Sequence, residues 1–215
     1  MKNKLFWLIL ALTVGGLIAV FAFSAGRDNQ PGSTADTTNV NQELFPDDNV
    51  LGDKNAKNTL VEYGDLQCPA CPSFAPMVNR LADDFKDELR IVFRHFPLGS
   101  IHPNAFSAAR AAEAAGVQGK FFDMVDLLYE RQEQWASSSN AVGVFREYAQ
   151  QLGLDIEQFN QSYNSQDSTT RINRDVGIGN DLGVNSTPTF YLNGQKIENP
   201  RSYGDFRSLV EKAVQ

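Results

Sequence analysis

Both cysteines of this 215-residue chain, Cys68 and Cys71, fall within a single Cys-x-x-Cys motif. Cross-links therefore cannot be spread through the fold, which has to be held by an apolar core. A disulfide-dense scaffold is excluded. So is a zinc ribbon, which takes its ligands from paired motifs. The chain is 42% hydrophobic and 21% charged, a composition that suits a globular domain. Its net charge is −7 and it has no basic cluster, which argues against a nucleic-acid partner.

The apolar residues are unevenly placed. Leu5 to Phe23 carry no charge. At about 1.5 Å per residue this run reaches roughly 28 Å, close to the thickness of a bilayer core. Lys2 and Lys4 precede it and favour a cytoplasmic N-terminus. Small residues around Ala22-Phe23-Ser24 and Ser24-Ala25-Gly26 leave a cleaved signal peptide as the alternative, although such peptides have a shorter apolar stretch. Residues 1–26 are thus read as an N-terminal membrane anchor or signal peptide, with the uncleaved anchor favoured. Either reading exports the remainder. The expected location is the cytoplasmic membrane, single-pass, with the domain extracytoplasmic, in the periplasm or at the cell surface. Residues 27–48 are polar and read as a flexible linker, with Leu44-Phe45 docking on the domain edge.

Residues 49–215 have the length of one domain. Thr59 to Tyr63 form a short apolar run fit for a buried strand. The cysteine motif follows, then a helical segment to about Lys86. Arg90 to Phe96 is rich in strand formers. Ala105 to Ala115 has strong helix propensity. Phe121, Val125 and Leu128 repeat at helical spacing, as do Phe145, Tyr148 and Leu152, and both stripes are read as core. Thr189 to Leu192 is a strand, Asn193-Gly194 a hairpin turn, and Lys196 to Glu198 the return. Phe206, Leu209, Val210 and Ala213 make a closing amphipathic helix. The expected fold class is α/β: one mixed sheet interrupted by a helical insertion.

The cysteine pair sits after a strand and at the start of a helix. Free backbone amides and the helix dipole there favour an anion, so the Cys68 thiol should be acidified. Pro69 suits the first helical turn. A Cys68 thiolate attacks disulfides and Cys71 resolves the mixed disulfide. A static disulfide across so short a loop would be a weak staple. Metal binding by Cys68, Cys71, His95 and His102 is the other alternative, but the two histidines lack a metal-finger spacing. Gly177, Gly179 and Gly183 do not have the spacing of a nucleotide-binding loop.

These segments together resemble the DsbA-like thiol–disulfide oxidoreductases of the thioredoxin superfamily, in their membrane-anchored bacterial form. The resemblance rests on Val61 to Cys71, on Phe93-Arg94-His95-Phe96-Pro97-Leu98 with His102-Pro103, on Gln118 to Phe122, and on Leu182 to Phe190. It implies a thioredoxin fold with a helical insertion, about 102–180, between the βαβ and ββα halves, preceded by a single N-terminal transmembrane helix. It implies that Cys68 attacks and Cys71 resolves, while Pro69 and Ala70 tune the potential. The family often has histidine where this chain has Ala70, which tempers the expected oxidising power. Glu62 matches a buried acid that shuttles the Cys71 proton. Thr187 and Pro188 match a cis-proline loop that pairs with substrate backbone. Pro76 matches a helix-kinking proline. Asp65 is read as a turn cap, and His95 and His102 as structural.

The implied function is disulfide formation in exported proteins that bear free thiols. The redox-active Cys68–Cys71 pair takes the place of any cofactor or metal. A membrane quinone-linked thiol oxidase is the implied reoxidising partner. The alternatives are a disulfide reductase or isomerase of the same fold, or a non-catalytic tethered chaperone or metal-handling module.

Overall fold

The computed structural model describes residues 44–215. The apolar run at 5–23, its cleavage sites and most of the 27–48 linker lie outside the described residues. Residues 37–215 form one compact unit. Among the described residues, no helix is long and apolar enough to cross a membrane.

Five strands form one sheet in the order β1-β3-β2-β4-β5. They are β1 (Asn49–Gly52), β2 (Asn58–Gly64), β3 (Leu89–His95), β4 (Thr189–Leu192) and β5 (Gln195–Ile197). β2 and β3 are parallel and every other pairing is antiparallel. β2 lies at the centre and is buried on both sides, which explains its continuous apolar run. The hairpin expected at Asn193-Gly194 is present. Both residues have positive φ, 49° and 80°, as a two-residue turn between right-twisted strands requires.

The helices are α1 (Ala75–Asp84), α2 (Ala105–Gly116), α3 (Phe121–Glu130), α4 (Gln132–Trp135), α5 (Ala141–Gln151), α6 (Ile156–Tyr163), α7 (Gln166–Asp181) and α8 (Tyr203–Val214). α2 to α7 fill the stretch between β3 and β4. Side-chain caps start α6, α7 and α8: Asp155, Ser165 and Ser202 each accept from a backbone N–H three residues on.

The alternation of β2 sorts the core. Leu60 faces one side, with Val78, Leu81, Phe206 and Val210 of α1 and α8. Val61 and Tyr63 face the other, with Phe96, Val184 and Tyr191. A third cluster joins α2, α3, α5 and α6 around Trp135, Phe145 and Phe159 and reaches Cys68 and Cys71. The two aromatic stripes read from the sequence both lie in this third cluster.

The structure corrects three boundaries. First, the linker ends earlier than residue 48. Leu44 packs against the Tyr63 side of the sheet. The Phe45 ring sits 4.2 Å from the Arg174 guanidinium. Buried Asp48 pairs with Arg94 at 3.3 Å. Polar composition hid this order because charge pairing, not apolar burial, fixes the segment. Second, β1 was not anticipated: four residues carry too little alternation to register. Third, the segment after the cysteines is not one helix. A 3₁₀ turn over Cys71–Ser73 comes first, and α1 starts at Ala75 with Pro76 in its first turn. Pro76 has no N–H to bond back to the preceding turn, so the helix begins there instead of bending there.

Candidate active site

Cys68 ends the loop that leaves β2. Its backbone N–H donates to the Asp65 carbonyl at 3.0 Å, and the Cys71 N–H to the Cys68 carbonyl at 3.3 Å. Asp65 anchors the loop from within. Its carboxylate accepts from the Gln67 N–H at 2.7 Å and the Leu98 N–H at 2.8 Å, and it pairs with His102 Nδ1 at 2.6 Å. The turn-capping reading of Asp65 thus describes part of what it does; it also ties the loop to the start of the helical block.

The helical block grips the same loop from outside. The Gln132 side-chain amide donates to the carbonyls of Leu66, at 2.8 Å, and Cys68, at 3.0 Å. Gln67 donates to the Ala136 carbonyl at 2.8 Å and accepts from the Asn104 N–H at 2.7 Å. Asn104 in turn donates to the carbonyls of Trp135, Ala136 and Ser138. These amides were not singled out in the sequence, where isolated Gln and Asn carry no periodic signature.

The two sulfurs are unequal. Both cysteines are free thiols; Cys71 is fully buried and Cys68 is 7% exposed. The Cys71 thiol donates toward Cys68 and draws its pKa down to about 5, and Thr187 and the backbone N–H groups of Ala70 and Cys71 add to this. The same hydrogen bond, with burial and the nearby Glu62, pushes the Cys71 thiol far up. The cause of acidification therefore differs from expectation. Only a three-residue 3₁₀ turn follows the motif, so local donors replace a long helix dipole.

Glu62 stands in β2 opposite Phe93 on one side and Phe190 on the other. It is 3% exposed, and burial raises its pKa to about 8. Its Oε1 has no hydrogen-bond partner. The Thr187–Pro188 bond is cis, and the Thr187 carbonyl lies 3.3 Å from Cys68 Sγ. Asn199 donates to the Pro188 carbonyl at 2.9 Å and steadies that loop. Pro69 and Ala70 are both exposed between the sulfurs, so neither covers them. His95 and His102 are each held by a carboxylate, Glu113 at 3.0 Å and Asp65 at 2.6 Å. Among the described residues no cluster of potential metal ligands occurs.

The arrangement brings together Cys68, Cys71, Glu62, Thr187 and Pro188 from three separate segments. A further residue belongs with them. Tyr129 of α3 lies in the cluster that contains both cysteines, with its hydroxyl buried. It falls on the Phe121–Val125 stripe at i+8 and i+4, a position the sequence marks only as core.

A family model described as thioredoxin matches residues 45–212. Over 157 residues the chain is 40% identical to a Na(+)/H(+) antiporter NhaA 1 of Mycobacterium sp. (strain KMS), covering 71% of this chain and 24% of that protein. It is 41% identical over 149 residues to the like-named protein of Salinispora arenicola (strain CNS-205), covering 69% and 22%. The chain thus matches about a quarter of the length of these curated relatives. Among solved structures, a thioredoxin-like oxidoreductase from Silicibacter pomeroyi DSS-3 has a TM-score of 0.68 at 27% identity, covering 79% of this chain and 93% of that one. Wolbachia pipientis alpha-DsbA1 has a TM-score of 0.72 at 21% identity, covering 83% and 96%. BdbD from Bacillus subtilis has 0.69 at 22%, covering 78% and 93%. The chain belongs to the thioredoxin family, with the DsbA-like arrangement in which a helical block is set into that fold.

Proposed function

We propose that this chain is a protein thiol–disulfide oxidoreductase that works in the oxidising direction, making disulfides in exported proteins through the Cys68–Cys71 pair. The observation that carries this reading is the inequality of the sulfurs. A Cys68 thiol held at about 5 is a thiolate at neutral pH. Stabilising that thiolate stabilises the reduced enzyme, and so makes its disulfide a stronger oxidant. A substrate thiolate attacks Cys68 Sγ of the disulfide. The S–S bond breaks, its electron pair goes to Cys71 sulfur, and Cys71 takes a proton from the Glu62 carboxyl. A second substrate thiolate then attacks the mixed disulfide and releases Cys68 as thiolate. The substrate loses two electrons and the enzyme gains them. The Thr187–Pro188 loop holds the substrate backbone beside Cys68. Pro69 and Ala70 set the potential, and Ala70 supplies no side-chain donor to the thiolate. No separate cofactor takes part; a membrane quinone-linked thiol oxidase would restore the disulfide.

Residues 1–26 would anchor the domain outside the cytoplasmic membrane, with 27–43 as tether. The antiporter relatives support work at a membrane, since each carries a stretch like this domain within a much longer chain.

Equilibration with glutathione tests the direction. The expected potential lies nearer about −120 mV than about −270 mV, and a value at or below the latter would identify a reductase instead. Cys68→Ser should abolish exchange; full activity in that variant would leave only a binding module.

A further inference from the structure

We propose that the Tyr129 hydroxyl is the group that passes the proton between Glu62 and Cys71, which makes it a third member of the catalytic set. The proposal rests on the oxidoreductase reading above and concerns its least explained step, the protonation of a sulfur sealed from water. Cys71 is 0% exposed, so no solvent proton reaches it directly.

Tyr129 is 5% exposed and its hydroxyl is fully buried, with no oxygen or nitrogen to bond. Leaving such a group unsatisfied costs about 1–3 kcal/mol. A phenylalanine would fill the same apolar cluster without that cost, so packing does not account for the hydroxyl. The groups around it do. The polar groups acting on the phenol are Cys71, Glu62 and Asp65. Glu62 Oε1 is likewise buried and unbonded. Two unsatisfied polar atoms thus flank the buried sulfur in one pocket.

The backbone makes room for this approach. A Cβ on Gly64 would lie 3.2 Å from the Tyr129 oxygen and 2.5 Å from the Phe93 ring. Gly64 closes β2 two residues after Glu62, on the same face of the sheet. Its missing side chain is the gap through which the phenol enters.

The chemistry balances. When the disulfide opens, Cys71 leaves as thiolate. Tyr129 gives it the hydroxyl proton and takes the Glu62 carboxyl proton in the same motion. Cys71 ends as a thiol, Tyr129 is unchanged and Glu62 is a carboxylate. Burial and its neighbours hold the phenol well above its usual pKa, so it remains a donor at neutral pH. Reoxidation runs the transfer backwards.

The test compares full-length wild type, Y129F, E62Q and the double variant in detergent micelles. The readouts are the rate at which dithiothreitol reduces the disulfide across the pH range, and the ultraviolet titration of the Cys68 thiolate. Y129F should reduce about a hundredfold more slowly, in the range of lost acid–base catalysis. It should also lose the limb of the pH profile near 8 that Glu62 supplies, while Cys68 still titrates near 5. The double variant should be no slower than the slower single variant, as for residues acting in one step. A Y129F rate equal to wild type overturns the relay. So does a slower rate with the pH limb intact, which is what a packing role would give. If Y129F does not fold, the proton inventory of wild type in water and heavy water decides: a curved inventory means two protons in flight, and a linear one overturns the proposal. A wild-type protein that exchanges no thiols overturns the oxidoreductase reading itself, a different outcome from a slow Y129F beside an active wild type.

Discussion

Cys68 and Glu62 are displaced in opposite directions, and their effects on stability run in opposite directions too. Cys68 is depressed to about 5, so its contribution to the reduced protein is present above the unfolded thiol range, about 8.5, and is lost as pH falls through about 5. Glu62 is raised from 4.5 to about 8 by burial alone. Its contribution is present below 4.5 and is lost as pH rises through about 8. In the oxidised protein the Cys68 contribution disappears while the Glu62 one stays. The Tm of the reduced form minus that of the oxidised form should therefore rise between about pH 5 and about pH 8. Calorimetry of both forms checks this, and a flat or falling difference would contradict the assigned shifts. The sequence revealed these two residues because each breaks a local pattern: a cysteine pair at a strand exit, and an acid inside an apolar run. Tyr129, Gln132 and Asn104 break no pattern. A tyrosine on a helical stripe reads as packing, and an amide in a loop reads as surface.

At the scale of elements, the strands and the Ala-rich helix were legible because burial imposes period and composition on them. α7 was not. Its sixteen residues include seven that are charged or amide and three of mean length or less in apolar reach, so no stripe stands out. What seats it is an absence: Gly179 lies where a Cβ would come within 2.7 Å of the Phe96 ring and 3.2 Å of Tyr63. Those rings already meet edge to face at 6.3 Å and are buried, so neither can withdraw. Gly179→Ala gains helix propensity of at most about 1 kcal/mol but overpacks this contact at a cost of about 1–3 kcal/mol. The variant should melt a few degrees lower, measured by circular dichroism. A higher Tm would mean that α7 can shift without loss.

At the scale of the whole chain, function depends on where the domain is held. The proposed anchor predicts that full-length protein stays with membranes through an alkaline carbonate wash, and that a chain starting at Arg27 is released. Release of the full-length protein would rule the anchor out. The order of synthesis matters as well. The Thr187 carbonyl that meets Cys68 Sγ comes 119 residues later in the chain. At about 5–20 residues per second, Cys68 waits roughly 6–24 seconds for it during synthesis. Through that interval β2 also lacks its β4 partner, so the pocket that acidifies one sulfur and hides the other does not yet exist. The growing chain thus carries two ordinary cysteines and acquires its reactivity only near completion, which spares it from exchanging disulfides with its surroundings before it can control them.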